Sequence, residues 1–370
     1  MVEVERRDAV VVGGGPAGLA AATWLARHRC TVVVLDSGEY RNQWVESAHG
    51  YLGLDPVDPA ELRARGRQQL LAYPGVEIRE VRADGARAVE GGFVVEAGGE
   101  RLRARRVVLA TGVVDRFPEV GNFLEHYGAS VFHCPTCDGY EARDRHVVAM
   151  GWSEAIVGFA LKLAGWAASV TVLTDGRRFE GDGDQRELLE GCGVAIVEDD
   201  GVELLGRRGA LEGVRLAGGE TLGCELLFFS IANDPRPGLA DELGCRRTED
   251  GCVHVDEHGR TSVPGVLAAG DLVPGLQLVQ VAAASGAVAG VACAQSLWAE
   301  EGRMALAAGG SAPLMAERTG PGPQRLQDLE DKIDDAREGL EEIAPELDDD
   351  EARFADRGEH RPVDDSIAPH

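Results

Sequence analysis

The sequence predicts an α/β protein built from two Rossmann-like dinucleotide-binding domains, the second inserted in the first, and ending in an acidic tail. Three observations carry that expectation. A strand, a glycine turn, a helix and a second strand open the chain; a similar run recurs from His146; and an apolar strand ending in Gly270-Asp271 leads late in the chain into a small-residue helix. The first domain is expected over residues 1–116 and 243–300, the inserted one over 117–242, and the tail over 301–370.

Element by element, Ala9–Val12 reads as a buried strand and Gly13-Gly-Gly-Pro-Ala-Gly18 as the turn into an Ala/Leu-rich helix that runs to about Arg27. Thr31–Leu35 is the next strand, ending at Asp36. The second unit runs from the strand His146–Met150 through Gly151-Trp-Ser-Glu-Ala-Ile156 and a helix to the strand Ser169–Leu173. Arg106–Gly112 and Leu226–Ile231 read as further buried strands. Thr261–Asp271 reads as an apolar strand, and Val279–Leu297 as the small-residue helix. Beyond Arg303 the text turns to Gly, Ala, Ser, Pro and acids. There Leu326, Leu329, Ile333, Ala336, Leu340 and Ile343 keep alternating spacings of three and four, which suits a short amphipathic helix stopped by Pro345.

Composition narrows the function. A formal charge of -26, with Lys162 and Lys332 as the lysines, provides no basic cluster for a phosphate backbone, so nucleic acid is not an expected partner. No uninterrupted apolar run approaches the roughly 18 residues of a membrane span. The apolar stretch Ala9–Leu25 is broken by its glycines and reads as strand, turn and helix rather than as a secretion signal, so a cytoplasmic protein is expected. Eight cysteines are too few for a disulfide-stapled scaffold, and Cys30, Cys192, Cys224, Cys245, Cys252 and Cys293 are read as reduced packing residues.

Two motifs carry chemistry. Gly13, Gly15 and Gly18 supply a tight turn, a close backbone approach and tight helix packing, the requirements of a dinucleotide diphosphate at a helix N-terminus, and Asp36 is placed to accept from ribose hydroxyls. Cys134-Pro-Thr-Cys137, followed by Asp138-Gly139, has the spacing that lets one thiolate be stabilised by its neighbour and then close a disulfide. Zinc is the rival reading. It would want further Cys or His ligands at matching spacing, whereas Cys245 and Cys252 have six residues between them, so no metal is expected.

These strings together, with the strand exit Ala110-Thr111-Gly112, resemble the FAD domain of two-dinucleotide-domain disulfide reductases. The Cys-x-x-Cys-Asp-Gly string, placed just before the second nucleotide unit, resembles low-molecular-weight thioredoxin reductases over about residues 8–300. The resemblance implies FAD on Gly13, Gly15, Gly18 and Asp36, with Thr111, Gly112, Gly270 and Asp271 beside it and the following helix aimed at the pyrimidine end of the flavin. It makes Cys137 the thiol nearest the flavin, Cys134 the interchange thiol and Asp138 the acid/base. Arg41-Asn-Gln43 and His49–Gly53 look like the loop that passes the flavin, with Gln43 as its contact, although Arg41-Asn42 stands where paired glycines are usual. His133, beside Cys134, reads as a loop histidine. Homodimerisation through the first domain, and a rotation of the inserted domain that turns the dithiol between flavin and outside substrate, are further implications.

The second nucleotide motif departs from that pattern. Gly151, Ser153 and Ile156 stand where G-x-G-x-x-A would be, so a side chain occupies the point of closest diphosphate approach. Asp175 stands near the position of an acid that bonds a ribose 2′-OH and repels a 2′-phosphate, with Arg177 and Arg178 displaced along the loop. Several readings stay open. NADPH, clamped by Arg177 and Arg178, feeds a thioredoxin-like protein or a small disulfide; NADH or a reduced protein replaces it; electrons run from a dithiol substrate through the flavin to dioxygen, as in the similar gliotoxin- and holomycin-type dithiol oxidases; or the chain is a non-enzymatic flavin redox sensor.

Overall fold

The computed structural model describes residues 6–307, with side chains to residue 302, and residues 6–301 lie in one compact unit. The tail helix expected around Leu326–Ile343 lies outside the described residues. From the N-terminus the elements are β1 (Arg6–Val12), α1 (Pro16–Arg27), β2 (Val32–Leu35), α2 (Pro59–Leu71), β3 (Val76–Arg79), β4 (Ala83–Val89), β5 (Gly92–Ala97), β6 (Glu100–Leu109) and β7 (Val113–Arg116). Next come α3 (Phe123–His126), β8 (Val131–Phe132), α4 (Pro135–Asp138), β9 (His146–Met150), α5 (Ala155–Leu163), β10 (Ser169–Leu173), α6 (Gly183–Gly191) and β11 (Ala195–Val197). Then follow β12 (Gly201–Arg207), β13 (Ala210–Leu216), β14 (Thr221–Gly223), β15 (Leu226–Phe229), β16 (Ala232–Pro235), α7 (Gly238–Glu242), β17 (Val266–Ala268) and α8 (Val279–Ala307).

The first sheet has the order β3-β2-β1-β6-β5-β4. β6 is long enough to hold two neighbours on one side, antiparallel β5 along Glu100–Ala104 and parallel β17 along Val107–Leu109. β2, β17 and the C-terminal stretches Ala9–Val12 of β1 and Val107–Leu109 of β6 are buried on both faces and are accordingly continuous Val, Ala and Leu, the pattern of a covered parallel sheet. One face packs α1 and α8. The other packs the β4–β5 hairpin side and α7, whose Ala240 and Leu243 are buried there. The second sheet, β11-β10-β9-β15-β8, is parallel throughout, and β12–β14 form a separate antiparallel sheet. The chain passes between the two sheets on a two-stranded ribbon, β7 against β16.

Two expectations are corrected here. Residues 238–242 were expected in the inserted domain, but α7 belongs to the first domain, because its apolar side meets β4 once β16 has carried the chain back. The strand expected over Thr261–Asp271 shrinks to Val266–Ala268, since Pro264 has no N–H to donate and Gly265 turns the backbone at φ +89°.

α8 also extends beyond Leu297, and its stretch Val279–Gly302 is long and apolar enough to cross a membrane. Here its small residues have a packing use. A Cβ on Gly286 would stand 2.0 Å from the carbonyl oxygen of Ala17, and one on Gly290 would stand 2.5 Å from that of Ala21. Two glycines four apart therefore lie on two alanines four apart, and the helix backbones touch. Gly286→Val would push α8 off α1; the expected cost is about 2–4 kcal/mol, read as a lower urea midpoint.

Candidate functional site

The parallel strands β1, β6 and β17 all end at one rim, the side on which open α/β sheets bind ligands. There β1 passes into α1 through Gly13-Gly14-Gly15. Gly13 adopts φ +113°, and a Cβ on it would lie 2.2 Å from the Ala110 carbonyl oxygen, so β6 can exit beside it only if the residue is glycine. A Cβ on Gly18 would lie 1.8 Å from the Gly13 oxygen. Gly18 is thus the packing glycine beneath the turn. Gly15 differs: nothing lies within 4 Å of the space its Cβ would fill, and this open position faces the cavity. No side chain caps α1, so its first-turn N–H groups are left for an anion.

The cavity at this rim has a volume of about 1060 Å³. Gly13, Gly15, Asp36, Thr111 and Gly112 line it from one side, Gly270, Asp271 and the first turn of α8 from another, and Cys137 and Asp138 from a third. A space that large, a glycine turn with room over Gly15 and an uncapped helix N-terminus suit an FAD-sized dinucleotide. Asp36 is buried; its Oδ2 accepts from the Tyr40 hydroxyl (2.6 Å) and Arg67 (2.6 Å) and its Oδ1 from Gly38 N–H (3.0 Å), which leaves acceptor capacity on Oδ1. Thr111 donates its hydroxyl to the Arg236 carbonyl at 2.7 Å, tying the exit of β6 to the end of the β16 ribbon.

The loop after Asp36 departs from the sequence reading. Gln43, expected to contact the flavin, is exposed and outside the cavity lining, because the turn over Tyr40–Gln43 directs it away. Arg41 lines the cavity instead. Its guanidinium donates to Asp115 (2.6 Å and 2.9 Å), to Asp271 (2.8 Å) and to Gln277 (2.8 Å), joining the loop, β7 and the approach to α8. Burial pushes the Asp271 carboxyl upward and Arg41 opposes this.

Cys134 and Cys137 form a disulfide with a Cα–Cα distance of 5.2 Å. Pro135 starts α4, and the Cys137 N–H donates to the Cys134 sulphur at 3.1 Å. Cys137 faces into the cavity and Cys134 is outside its lining. Asp138 follows on the same turn; burial, helped by the negative charge of Glu141, pushes its carboxyl up to about 7, with His49 opposing. An acid in that range can both give and take a proton near neutrality.

His133, read from sequence as a loop residue, lies among rings. Its Nδ1 is 3.0 Å from the Tyr127 hydroxyl, and Phe229 is 6.1 Å away between centroids. Burial lowers its pKa to about 4, so the imidazole is neutral and accepts from a tyrosine that burial holds protonated. Among the six other cysteines, Cys192 is exposed rather than packed, while Cys30, Cys224, Cys245 and Cys293 are buried.

Gly151, Ser153, Arg177 and Arg178 are separate from this cavity, at the rim of the second sheet. A Cβ on Gly151 would lie 2.7 Å from the Ser230 carbonyl, so this glycine serves the turn. Ser153 places a side chain where the diphosphate would come closest, and Glu154, an acid, stands at the N-cap of α5, where an anion would otherwise be favoured. The Arg177 guanidinium lies 4.0 Å from the Trp152 ring centroid. Arg178 is exposed. Burial, and next the charge of Asp200, raise the Asp175 carboxyl. These residues fit a dinucleotide less well than the first cradle does.

Arg41 as a hub, Tyr127 and Glu141 escaped the sequence reading, and His49 was read only as part of the flavin loop. The displaced paired glycines at Arg41-Asn42 were the one available signal for the first of them.

Residues 7–286 match the family "Pyridine nucleotide-disulphide oxidoreductase". Among curated relatives, the "Thioredoxin reductase tcpT" of Claviceps purpurea is 32% identical over 311 residues, covering 79% of this chain and 95% of its own length. Among solved structures, "HlmI" superposes with a TM-score of 0.77 at 34% identity over 83% of this chain and 97% of its own. An oxidoreductase from Agrobacterium tumefaciens does so with a TM-score of 0.73 at 33% identity, over 80% of this chain and 100% of its own. With a glycine cradle and a Cys-x-x-Cys-Asp turn opening on one cavity, and with a match of this length, the chain belongs to the pyridine nucleotide-disulphide oxidoreductase family and is a flavin-dependent disulfide oxidoreductase, in a family that uses FAD and a pyridine nucleotide.

Proposed function

We propose that the protein moves electron pairs between a nicotinamide nucleotide, FAD, the Cys134/Cys137 pair and an external disulfide, carried on a thioredoxin-like protein or a small molecule. The observation that carries this reading is that Cys137 lines the same cavity as Gly13 and Gly15 while Cys134 does not. Bound flavin supplies a two-electron donor and acceptor beside Cys137. Opening the Cys134–Cys137 bond takes two electrons and leaves two sulphurs, and Asp138 gives a proton to the thiolate that needs it. Cys134 then attacks the external disulfide and displaces one of its sulphurs. Cys137 attacks the mixed disulfide, which releases the substrate as a dithiol and restores the internal bond. For this exchange the inserted domain has to turn on the β7–β16 ribbon, and the expected homodimer pairs through the first domain.

A second reading rests on the rim of the second sheet. Ser153, Glu154 and the carboxylates of Asp175 and Asp200 weaken a site for a doubly charged 2′-phosphate, which favours NADH over NADPH, or a dithiol donor with dioxygen as final acceptor. Anaerobic stopped-flow mixing of the FAD-loaded protein with NADPH, NADH or dithiothreitol separates these. Bleaching by a nicotinamide nucleotide, followed by reoxidation with an added disulfide, is the expected result of the first reading. Bleaching by dithiothreitol alone, with peroxide formed on admitting air, overturns it in favour of the second.

A further inference from the structure

Asp138 is buried and close to an electron-transfer pair, yet every turnover in either direction changes its proton content. A proton therefore has to travel between this carboxyl and water. The segment after the dithiol and a loop of the first domain meet where such a path would run. Glu141 is three residues beyond Asp138, in the next turn, and its Oε2 is buried without a hydrogen-bond partner. Its Oε1 lies 3.5 Å from Nε2 of His49. The Nδ1 of the same ring lies 3.1 Å from Oδ1 of Asp55, whose side chain is 53% exposed. His49 itself lines the cavity with Cys137 and Asp138. Its charged neighbours are Glu141, Asp55 and Asp138; Gln280 of α8, which meets this loop at the Leu52 N–H, is uncharged.

An imidazole flanked at both nitrogens by carboxylates, one half-buried on the Asp138 side with its Oε2 covered and one at the surface, can take a proton on one nitrogen and release it from the other. We propose that His49, acting with Glu141, relays protons between Asp138 and solvent while the dithiol faces the flavin cavity. When the flavin reduces the disulfide, two electrons from the nicotinamide break the sulfur–sulfur bond, and a proton passes from water through His49 and Glu141 to Asp138 and on to a thiolate; a dithiol donor instead opens the bond by exchange and passes its two electrons on to the flavin. Oxidation of the dithiol sends the proton the other way. His49 belongs to the first domain and Glu141 to the inserted one, so the path exists only in the orientation in which the pair meets the flavin. In this scheme His49 is a positioning and relay residue, since it reaches the reacting sulphurs only through Asp138. The inference rests on the dithiol–flavin reading above.

The test uses the FAD-loaded full chain, reduced anaerobically by dithiothreitol, with flavin absorbance followed between about pH 6 and about pH 9. His49→Gln keeps an amide that can bridge the two carboxylates but cannot carry a proton through. It is expected to slow bleaching by about ten-fold or more and to raise the solvent deuterium isotope effect, with circular dichroism and bound flavin unchanged. His49→Ala is expected to be slow and restored by added imidazole. Glu141→Gln is expected to slow the same step and to move the carboxylic C=O stretch of Asp138, read by infrared titration without turnover, to a lower pH. A His49→Gln protein that matches the parent within about two-fold across this range, or a slow His49→Ala protein that imidazole leaves unchanged, overturns the relay alone. A parent protein that neither dithiothreitol nor a nicotinamide nucleotide bleaches overturns the dithiol–flavin reading and the relay with it.

Discussion

Cys137→Ser protein is expected to remain yellow and folded, while anaerobic reduction of its disulfide partner through the flavin falls by at least about 10³-fold. The reason is positional. Cys137 is the sulphur that enters the cavity holding Gly13, Gly15 and Asp271, and a serine oxygen is neither a leaving group nor an electron carrier. Cys134→Ser provides the contrast. It removes exchange with an external disulfide such as a chromogenic aromatic disulfide, but leaves one thiol inside the cavity, where alkylation by iodoacetamide is slower than at Cys134 of the reduced parent. Equal alkylation of both thiols, or turnover retained by Cys137→Ser, would contradict the assigned geometry.

The second large effect belongs to Asp138, and it has two signs. Asp138→Asn is expected to slow the proton-linked step by about 10²- to 10⁴-fold, with loss of the pH dependence centred near its carboxyl. The same change is expected to stabilise the fold above neutrality. Burial raises this carboxyl from an ordinary 3.8 to about 7, so between those values the folded chain holds a proton that the unfolded chain has lost. Stability contributed by the neutral acid is therefore whole below about pH 4 and is lost progressively as the pH rises through about 7. At pH 8 the parent bears an unfavourable buried charge of up to about 4 kcal/mol that the amide avoids. Urea midpoints that converge at about pH 4 and diverge, with the variant higher, by about pH 8 would show it. A variant less stable than the parent at the higher pH would refute the assignment.

Much of the first domain was readable because its signals are local. Ala9–Val12 and Val32–Leu35 are continuous apolar runs at strand length, and the glycines between them leave few conformations that join a strand to a helix. The Cys-x-x-Cys-Asp turn was equally legible, since its spacing is its chemistry. The Arg41 hub was not. Its partners Asp115 and Asp271 stand 74 and 230 residues away in sequence, and only the closing of the sheet by β17 brings them together. The side of the turn on which Gln43 falls was also beyond local reading, because a turn residue's direction depends on what the loop packs against. α7 was assigned to the wrong domain for a similar reason: its short apolar side matches either core.

From residue order alone came the chemical inventory, namely a diphosphate-binding glycine turn, an exchangeable pair of thiols and a weakened second nucleotide motif, because each depends on identities a few positions apart. The meeting of these parts depended on tertiary structure. That Cys137 rather than Cys134 looks into the cavity, that Asp138 is buried deeply enough to titrate near neutrality, and that His49 of one domain reaches Glu141 of the other follow from packing two sheets across the β7–β16 ribbon. Burial and field strength are sums over neighbours distant in sequence, and no local pattern contains them.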